Sequence, residues 1–341
     1  MNRMKRKVLV LTSGGLDSLL TLKIMGGEGL DVSGIHFLSW FNIPKYRLPG
    51  DFKKKDEILG FPLLNVDISE EYTDVLLHPR YGYGSGVNPC IDCKILFFKK
   101  AWALAGETGA DFVASGEVVG QRPMSQKKNI MKLIERSSGL EGYLLRPLSA
   151  RLLQPTVPEA EGWVNRENLH AISGRGRKAQ MEMAARLGIG EYPSPAGGCI
   201  LTEKGFKARF RDLVEHTAEP GVDDFIILRY GRHFRLSEGC KLVVGRNRTE
   251  NDFLNRLGWG NLKIDVRDVP GPYSVMMWDG ATGTIRKALR IIARYSDAAS
   301  IASKKKKDDA VGFEIDFGTK RRAIVHRGRA DHQETEAAII R

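Results

Sequence analysis

Apolar positions in this chain fall into short runs that alternate with stretches of helical spacing. Val8-Leu9-Val10-Leu11 reads as a buried strand, and Leu16, Leu19, Leu20 and Ile24 then recur on one helix face. Val32 to Leu38 reads as a second strand, Asp51 to Leu59 as a short, lysine-heavy helix, Pro62 to Val66 as a third strand and Ser69 to Leu77 as a further helix. An amphipathic helix follows Cys90 through Phe97 and Trp102. Phe112 to Glu117 is another strand, and the apolar segment at Leu144 is stopped by Pro147. Pro123 excludes a plain helix from Gln121 to Gln126. Strands alternating with helices predict an α/β domain with a doubly wound parallel sheet. Right-handed crossovers bring the loops after its strands to one edge, where ligands bind.

Helices are expected to dominate from Glu159 to Leu187, broken by the basic stretch from Ser173 to Lys178, and Glu203 to His216 reads as a basic helix. The pattern changes near Glu219-Pro220-Gly221. Beyond it, Phe225 to Leu228, Phe234 to Leu236, Lys241 to Val244, Lys263 to Val266 and Tyr273 to Trp278 read as short strands. A long helix from Thr284 to Tyr295 and a terminal hairpin of Phe313 to Phe317 with Arg322 to Val325 complete the chain. Lys304 to Asp309 reads as an exposed loop. The pattern therefore predicts two domains, 1–218 and 219–341, the second a smaller α+β fold.

Composition changes this picture in three ways. No run approaches the ~20 apolar residues of a membrane helix. Only a four-residue apolar run follows the basic N-terminus, too short for a secretory segment. A cytoplasmic protein without membrane contact is expected. The net charge of +12 points to an acidic partner, with nucleic acid ahead of a merely soluble basic surface. The cysteines are Cys90, Cys93, Cys199 and Cys240. In a cytoplasmic chain the Cys-x-x-Cys pair reads as metal-binding or redox-active, and Cys240 as an inert buried thiol. Cys90 and Cys93 open a helix, whose dipole is expected to favour thiolate.

The candidate chemistry starts at Ser13-Gly14-Gly15-Leu16-Asp17-Ser18. A strand, a glycine turn and a helix N-terminus make an anion site, with free N–H groups and hydroxyls from Ser13 and Ser18 aimed at the ligand. Asp17 suits such a place only if a cation comes too, and Mg²⁺ carried by a nucleotide is the simple choice. Neither the Walker lysine nor the dinucleotide Gly-x-Gly-x-x-Gly turn is present.

The stretch resembles the SGGxDS pyrophosphate loop of the ATP pyrophosphatases, the PP-loop superfamily, whose members adenylate an oxygen and release pyrophosphate. Gly116-Glu117-x-x-Gly120-Gln121 with Ser125-Gln126, then Leu145-Arg146-Pro147-Leu148, is similar to the 4-thiouridine synthase family. Gly109-Ala110-Asp111-Phe112-Val113 and Asn88-Pro89-Cys90-x-x-Cys93 also resemble the tRNA 2-thiouridylases. The resemblance covers residues 6 to 205. It implies an adenine nucleotide α-hydrolase-like fold and an ATP-dependent tRNA sulfurtransferase that adenylates a uridine carbonyl. The product is expected to be 4-thiouridine ahead of 2-thiouridine.

By the same resemblance, Ser13, Gly14, Gly15, Asp17, Ser18, Gly116 and Gln121 would hold ATP and Mg²⁺, with strand backbone at His36 and Phe37 against adenine. Asp17, Cys93 and Cys199 would be catalytic. Cys90, Cys93 and Cys199 would ligate a [4Fe–4S] cluster, the alternative being a persulfide on Cys93 or Cys199 with its partner resolving a disulfide. His36 also reads as a packed strand histidine. The expected partners are tRNA and a donor of sulfide or persulfide, with a homo-oligomer left open. The RNA-binding module that precedes the loop in 4-thiouridine synthases is expected to be absent, since the loop starts at Ser13. Val243 to Leu254, with its Gly245-Arg246-Asn247-Arg248 core, resembles the NFACT-R RNA-binding module instead. Two other readings stand beside this one: an amidating enzyme on the same loop, and an RNA-binding module with a degenerate ATP site.

Overall fold

The computed structural model describes residues 5–194, 198–297 and 310–341. Residues 304–309, expected as an exposed loop, and 195–197, ahead of Cys199, lie outside them. The chain divides into two compact units, Met1–Ile43 with Arg47–Cys199 and Pro44–Tyr46 with Ile200–Arg341.

The first unit runs β1 (Lys7–Leu11), α1 (Leu16–Gly27), β2 (Asp31–Leu38), β3 (Lys55–Ile58), β4 (Phe61–Asp67), α2 (Ser69–Leu77), α3 (Cys90–Thr108), β5 (Phe112–Ser115), α4 (Lys128–Ser137), β6 (Leu144–Leu145), α5 (Val157–Ala160) and α6 (Lys178–Arg186). Its sheet has the order β3-β4-β2-β1-β5-β6. All pairings are parallel except β3 with β4. This is the doubly wound α/β fold the pattern predicts. Val8 and Val10 of β1 pack with Leu16, Leu20 and Phe112 on one face, and Leu9 packs with Ile35, Phe98 and Val113 on the other. A strand buried on both faces reads as a continuous apolar run, as β1 does. The chain leaves β1 toward β2 on one side, while β5 lies on the other. The topological switch point therefore falls between β1 and β5.

Two expectations are corrected here. The stretch from Asp51 to Leu59 contains strand β3, not a helix. Leu59 (φ 53°) and Gly60 (φ 84°) form a two-residue turn of the hairpin kind, and Ile58 pairs with Phe61 across it. The charged residues that suggested a helix face lie instead on an exposed edge strand, where charge discourages further pairing. Between Glu159 and Leu187 the stretch 161–177 holds no α-helix and is largely turns and loop. Gly162 and Gly174 turn it at positive φ, and Arg166 holds the loop by donating to Ala150 O (3.0 Å) and Leu153 O (2.9 Å).

The second unit contains α7 (Lys204–His216), α8 (Val222–Ile227), β7 (Arg232–Ser237), β8 (Cys240–Val244), α9 (Arg248–Leu257), β9 (Leu262–Val266), β10 (Ser274–Met277), α10 (Thr282–Arg294), β11 (Ala310–Asp316), β12 (Arg321–Arg327) and α11 (His332–Ala338). Its sheet is antiparallel, in the order β12-β11-β9-β10-β8-β7. Leu242, Ile264, Met276, Ile292 and Phe313 are among its core residues. The division between units falls earlier than residue 218, because α7 belongs to the second. Asp212 on α7 accepts from Arg235 (2.9 and 2.7 Å) and from Lys241 (2.8 Å). Phe225 to Leu228 begins as helix α8, not a strand: Asp224 turns back to accept from Gly221 N (2.9 Å), and Phe225, Ile226 and Ile227 are all buried. Helix α9 is new, started by Asn247 accepting from Glu250 N at 3.0 Å.

Candidate active site

The glycine loop spans the gap from β1 to α1. Gly14 takes φ +71°, a conformation costly for any residue with a Cβ, and Gly15 caps the helix in extended form. Ser18 Oγ donates to Gly15 O (2.7 Å) and accepts from Thr12 Oγ1 (3.2 Å) and Ser13 N (3.3 Å). The hydroxyl of Ser18 thus braces the loop, and that of Ser13 is exposed toward solvent.

The loop after β5 closes on this turn at the switch point. A Cβ at Gly116 would lie 2.5 Å from Asp17 O and 2.8 Å from Ser18 N, so only glycine lets the two segments meet. Gln121 Nε2 donates to Asp17 Oδ2 at 2.9 Å. Among the described residues, Asp17 Oδ1 is buried with no hydrogen-bond partner, as are Ser39 Oγ just beyond β2 and Ser115 Oγ at the last residue of β5. A buried carboxylate oxygen without a donor is costly unless a cation meets it, so these residues fit Mg²⁺.

His36 and Phe37 are part of the sheet wall. Burial lowers the His36 pKa against a hydrogen bond with Asn65 that raises it, so the imidazole is neutral. Phe37 packs on Phe97, with ring centroids 5.6 Å apart. What this strand end can offer a base is backbone.

The cysteine pair opens α3. Asn88 Nδ2 donates to Cys90 Sγ at 3.0 Å. Asp92 accepts from Arg80 N and Tyr81 N, both at 3.1 Å, and so ties the preceding glycine-rich loop to the helix start. Cys93 is half-buried. Burial pushes its thiol up to about 12, with Lys94 pulling down and Cys199, Cys90 and the Tyr72 hydroxyl also acting on it. The expected helix-dipole depression of this thiol is therefore corrected: Cys93 sits a turn into the helix, and desolvation outweighs the dipole. Cys90, Cys93 and Cys199 share one electrostatic neighbourhood around Tyr72. Among the described residues, however, no three Cys, His, Asp or Glu side chains are grouped to hold a metal ion. The [4Fe–4S] ligation expected of Cys90, Cys93 and Cys199 is not supported by this arrangement.

The Gly-Glu-x-x-Gly-Gln stretch has a structural centre that sequence reading missed. Glu117 is buried. It accepts from Arg146 Nε at 3.0 Å and pairs with Lys94 at 3.3 Å, while Arg146 also reaches Glu135 at 2.7 Å. Burial alone would raise the Glu117 pKa, but Lys94 and Arg146 hold it below the usual carboxylate range. The nearest sequence signal was an arginine inside an apolar, proline-stopped segment. Nothing local pointed to Lys94, Glu135 or Tyr72.

Fold and site together define a doubly wound α/β domain with a glycine loop at its switch point, followed by a second, antiparallel-sheet domain. Residues 6–160 match the family model of the tRNA methyl transferase HUP domain, and residues 231–335 match that of the NFACT protein RNA binding domain. Curated relatives include the tRNA-specific 2-thiouridylase MnmA of Streptococcus equi subsp. equi. It is 26% identical over 214 residues, which is 60% of this chain and 54% of the relative. The enzyme of the same name from Listeria welshimeri is 24% identical over 227 residues, 63% of this chain and 57% of the relative. The chain spans just over half the length of the curated relatives it matches. Among solved structures, a 4-thiouridine synthetase–RNA complex with bound ATP is 19% identical with a TM-score of 0.32, covering 54% of this chain and 52% of that one. A predicted subunit of tRNA methyltransferase from Methanocaldococcus jannaschii is 21% identical with a TM-score of 0.28, covering 42% and 67%. The first part of the chain is thus similar to tRNA 2-thiouridylases and the second part to the NFACT protein RNA binding domain.

Proposed function

We propose that the protein is an ATP-dependent enzyme that adenylates a uridine carbonyl in tRNA and replaces the oxygen with sulfur. The observation that carries this reading is Asp17. One of its oxygens is held by Gln121 and the other is buried without a partner among the described residues, at a helix start beside a glycine turn. Mg²⁺ held there neutralises phosphate charge when bound. Ser13, Gly14, Gly15 and the first N–H groups of α1 would cradle the phosphates, braced by Ser18. Backbone at His36 and Phe37 would meet adenine, and Gly116 and Gln121 close the other side.

In the first step the uridine oxygen attacks the α-phosphorus. The bond from that phosphorus to the bridging oxygen breaks, and pyrophosphate leaves with the electron pair. The base oxygen, now esterified to AMP, can depart. The terminal sulfur of a persulfide on Cys199, loaded by a sulfur donor, attacks the carbon and AMP leaves with the oxygen. Cys93 then attacks the inner sulfur, releasing thiouridine and leaving a Cys93–Cys199 disulfide. Two external thiols, or one dithiol, then reduce it, supplying two electrons and leaving as their own disulfide. Because burial keeps Cys93 protonated, release should speed up as pH rises. The relatives' names support sulfur at the 2-position, whereas the motifs shared with 4-thiouridine synthases support the 4-position.

The test is pyrophosphate release from ATP by the full chain with unmodified tRNA and a persulfide donor, followed by mass spectrometry of the nucleosides. Thiouridine is expected, and its chromatographic position tells 2- from 4-thiouridine. Binding of tRNA without pyrophosphate release would leave only an RNA-binding module. Adenylation without sulfur incorporation would point to another nucleophile.

A further inference from the structure

The antiparallel sheet ends in a half-open cleft that nothing in the proposed thiolation chemistry uses. In the order β12-β11-β9-β10, alternate strand directions bring the start of β9, the ends of β10 and β11 and the start of β12 to one edge. A cavity of about 460 Å³ lies there, lined by Asn261, Trp278, Phe317, Thr319, Lys320 and Arg322. Trp278 and Phe317 meet edge to face, with centroids 5.7 Å apart.

The tryptophan is fixed in place. Its Nε1 donates to Ala281 O (3.0 Å), its backbone N donates to Asn261 Oδ1 (2.8 Å), and Asn261 Nδ2 donates to Trp278 O (3.1 Å). Every hydrogen bond that orients Trp278 is thus made within the protein, leaving a pre-set apolar face. Arg322 lies with its guanidinium 6.0 Å from the Phe317 ring. Its neighbour Arg321 is paired with Asp316 (3.1 Å) and Glu314 (3.7 Å). Among the described residues, Lys320 and Arg322 form no ion pair, and both are exposed.

Two packed aromatic rings beside two cations that no carboxylate pairs match one nucleotide of single-stranded nucleic acid, with a base against the rings and its phosphate against the cations. An unpaired base offers a π face in any sequence, whereas a duplex keeps its bases stacked and presents only phosphates and sugars. The rigidity of the platform lowers the ordering cost of binding. All of these residues lie inside the part that matches an RNA-binding domain.

We propose that the Trp278–Phe317 cavity takes one unpaired base of an RNA strand, with Lys320 and Arg322 on its phosphate. This deepens the reading of RNA as partner and rests on it. The test uses the full chain with fluorescent oligouridine of about 12 nucleotides and a blunt RNA duplex of the same length, both over a salt series. Trp278→Ala is expected to weaken oligouridine binding about fivefold or more, with duplex affinity unchanged. Arg322→Ala, at an exposed position that does not threaten folding, is expected to weaken binding and flatten the salt dependence by about one phosphate contact. Oligouridine should also quench tryptophan fluorescence in the parent, and less in Trp278→Phe. Parent-like oligouridine affinity in both Trp278→Ala and Arg322→Ala would overturn the cavity and leave the RNA reading standing. Failure of the parent to bind any RNA would overturn both.

Discussion

Asp17 is the residue on which the proposed chemistry turns, and its two oxygens sit in different surroundings. Asp17→Asn keeps the bond from Gln121 and the shape of the turn but removes the charge. Loss of a pre-set charged group from a reacting site costs roughly 10²–10³ in turnover. Pyrophosphate release should fall by that order with the thermal unfolding midpoint unchanged, and an active Asp17→Asn enzyme would take the cation away from this site. Cys93 offers a second reading at this scale. Its thiol, pushed up to about 12 mainly by burial, is almost wholly protonated at neutral pH. Thiolate is the reactive form. Alkylation of Cys93 in the resting protein, followed by peptide mass mapping, should therefore be slow at pH 7.5 and accelerate up to pH 10 and beyond. Rapid labelling at neutral pH would contradict the buried geometry.

At the scale of elements, the site depends on the end of β5 meeting the start of α1. Gly116→Ala places a methyl group 2.5 Å from Asp17 O, against backbone that cannot swing away. The variant should fold but hold ATP at least about tenfold more weakly, an apparent cost above 1.4 kcal/mol, as read by calorimetric titration. Below that contact, Glu117 joins β5 to α3 and α4 through Lys94, Arg146 and, by way of Arg146, Glu135. Removing one partner of such a buried set strands the rest, at about 3–5 kcal/mol. Glu117→Gln should lose stability of that order in denaturant melts at pH 7. The pH dependence has a definite sign. The folded-state pKa of Glu117 is depressed, so the unfolded chain takes up the proton first as pH falls. Its stabilisation is complete above the ordinary carboxylate value of about 4.3 and is lost as pH drops through the folded value. The gap between parent and Glu117→Gln should narrow below about pH 4.

For the molecule as a whole, the net charge of +12 predicts an RNA affinity that falls steeply with salt. The two arginines that sequence reading grouped together should differ. Arg246 is clamped by Glu250, which binds both its side chain and its backbone N–H (3.0 Å), so Arg246→Ala should mainly destabilise the second unit. Arg248 is exposed at the start of α9, and Arg248→Ala should leave the melting point alone and lower the salt slope by about one phosphate contact. The reverse pattern would show that Glu250 releases Arg246 to RNA. Much of this protein was determined by local sequence: the doubly wound order of strands and helices, the glycine turn at residues 13–18, and the helix opened by Cys90. These follow from periodicity and from backbone conformations that few residues can adopt, both properties of neighbouring positions. Tertiary structure decided the rest. Folding paired Asp17 with Gln121, buried Cys93 until its thiol stayed protonated, and placed α7 with the sheet that supplies Arg235 and Lys241. It also gathered four strand ends around Trp278. Desolvation, ion pairing and close packing depend on residues far apart in the chain, and a carboxylate or thiol takes its character from what surrounds it only once the chain has closed around it.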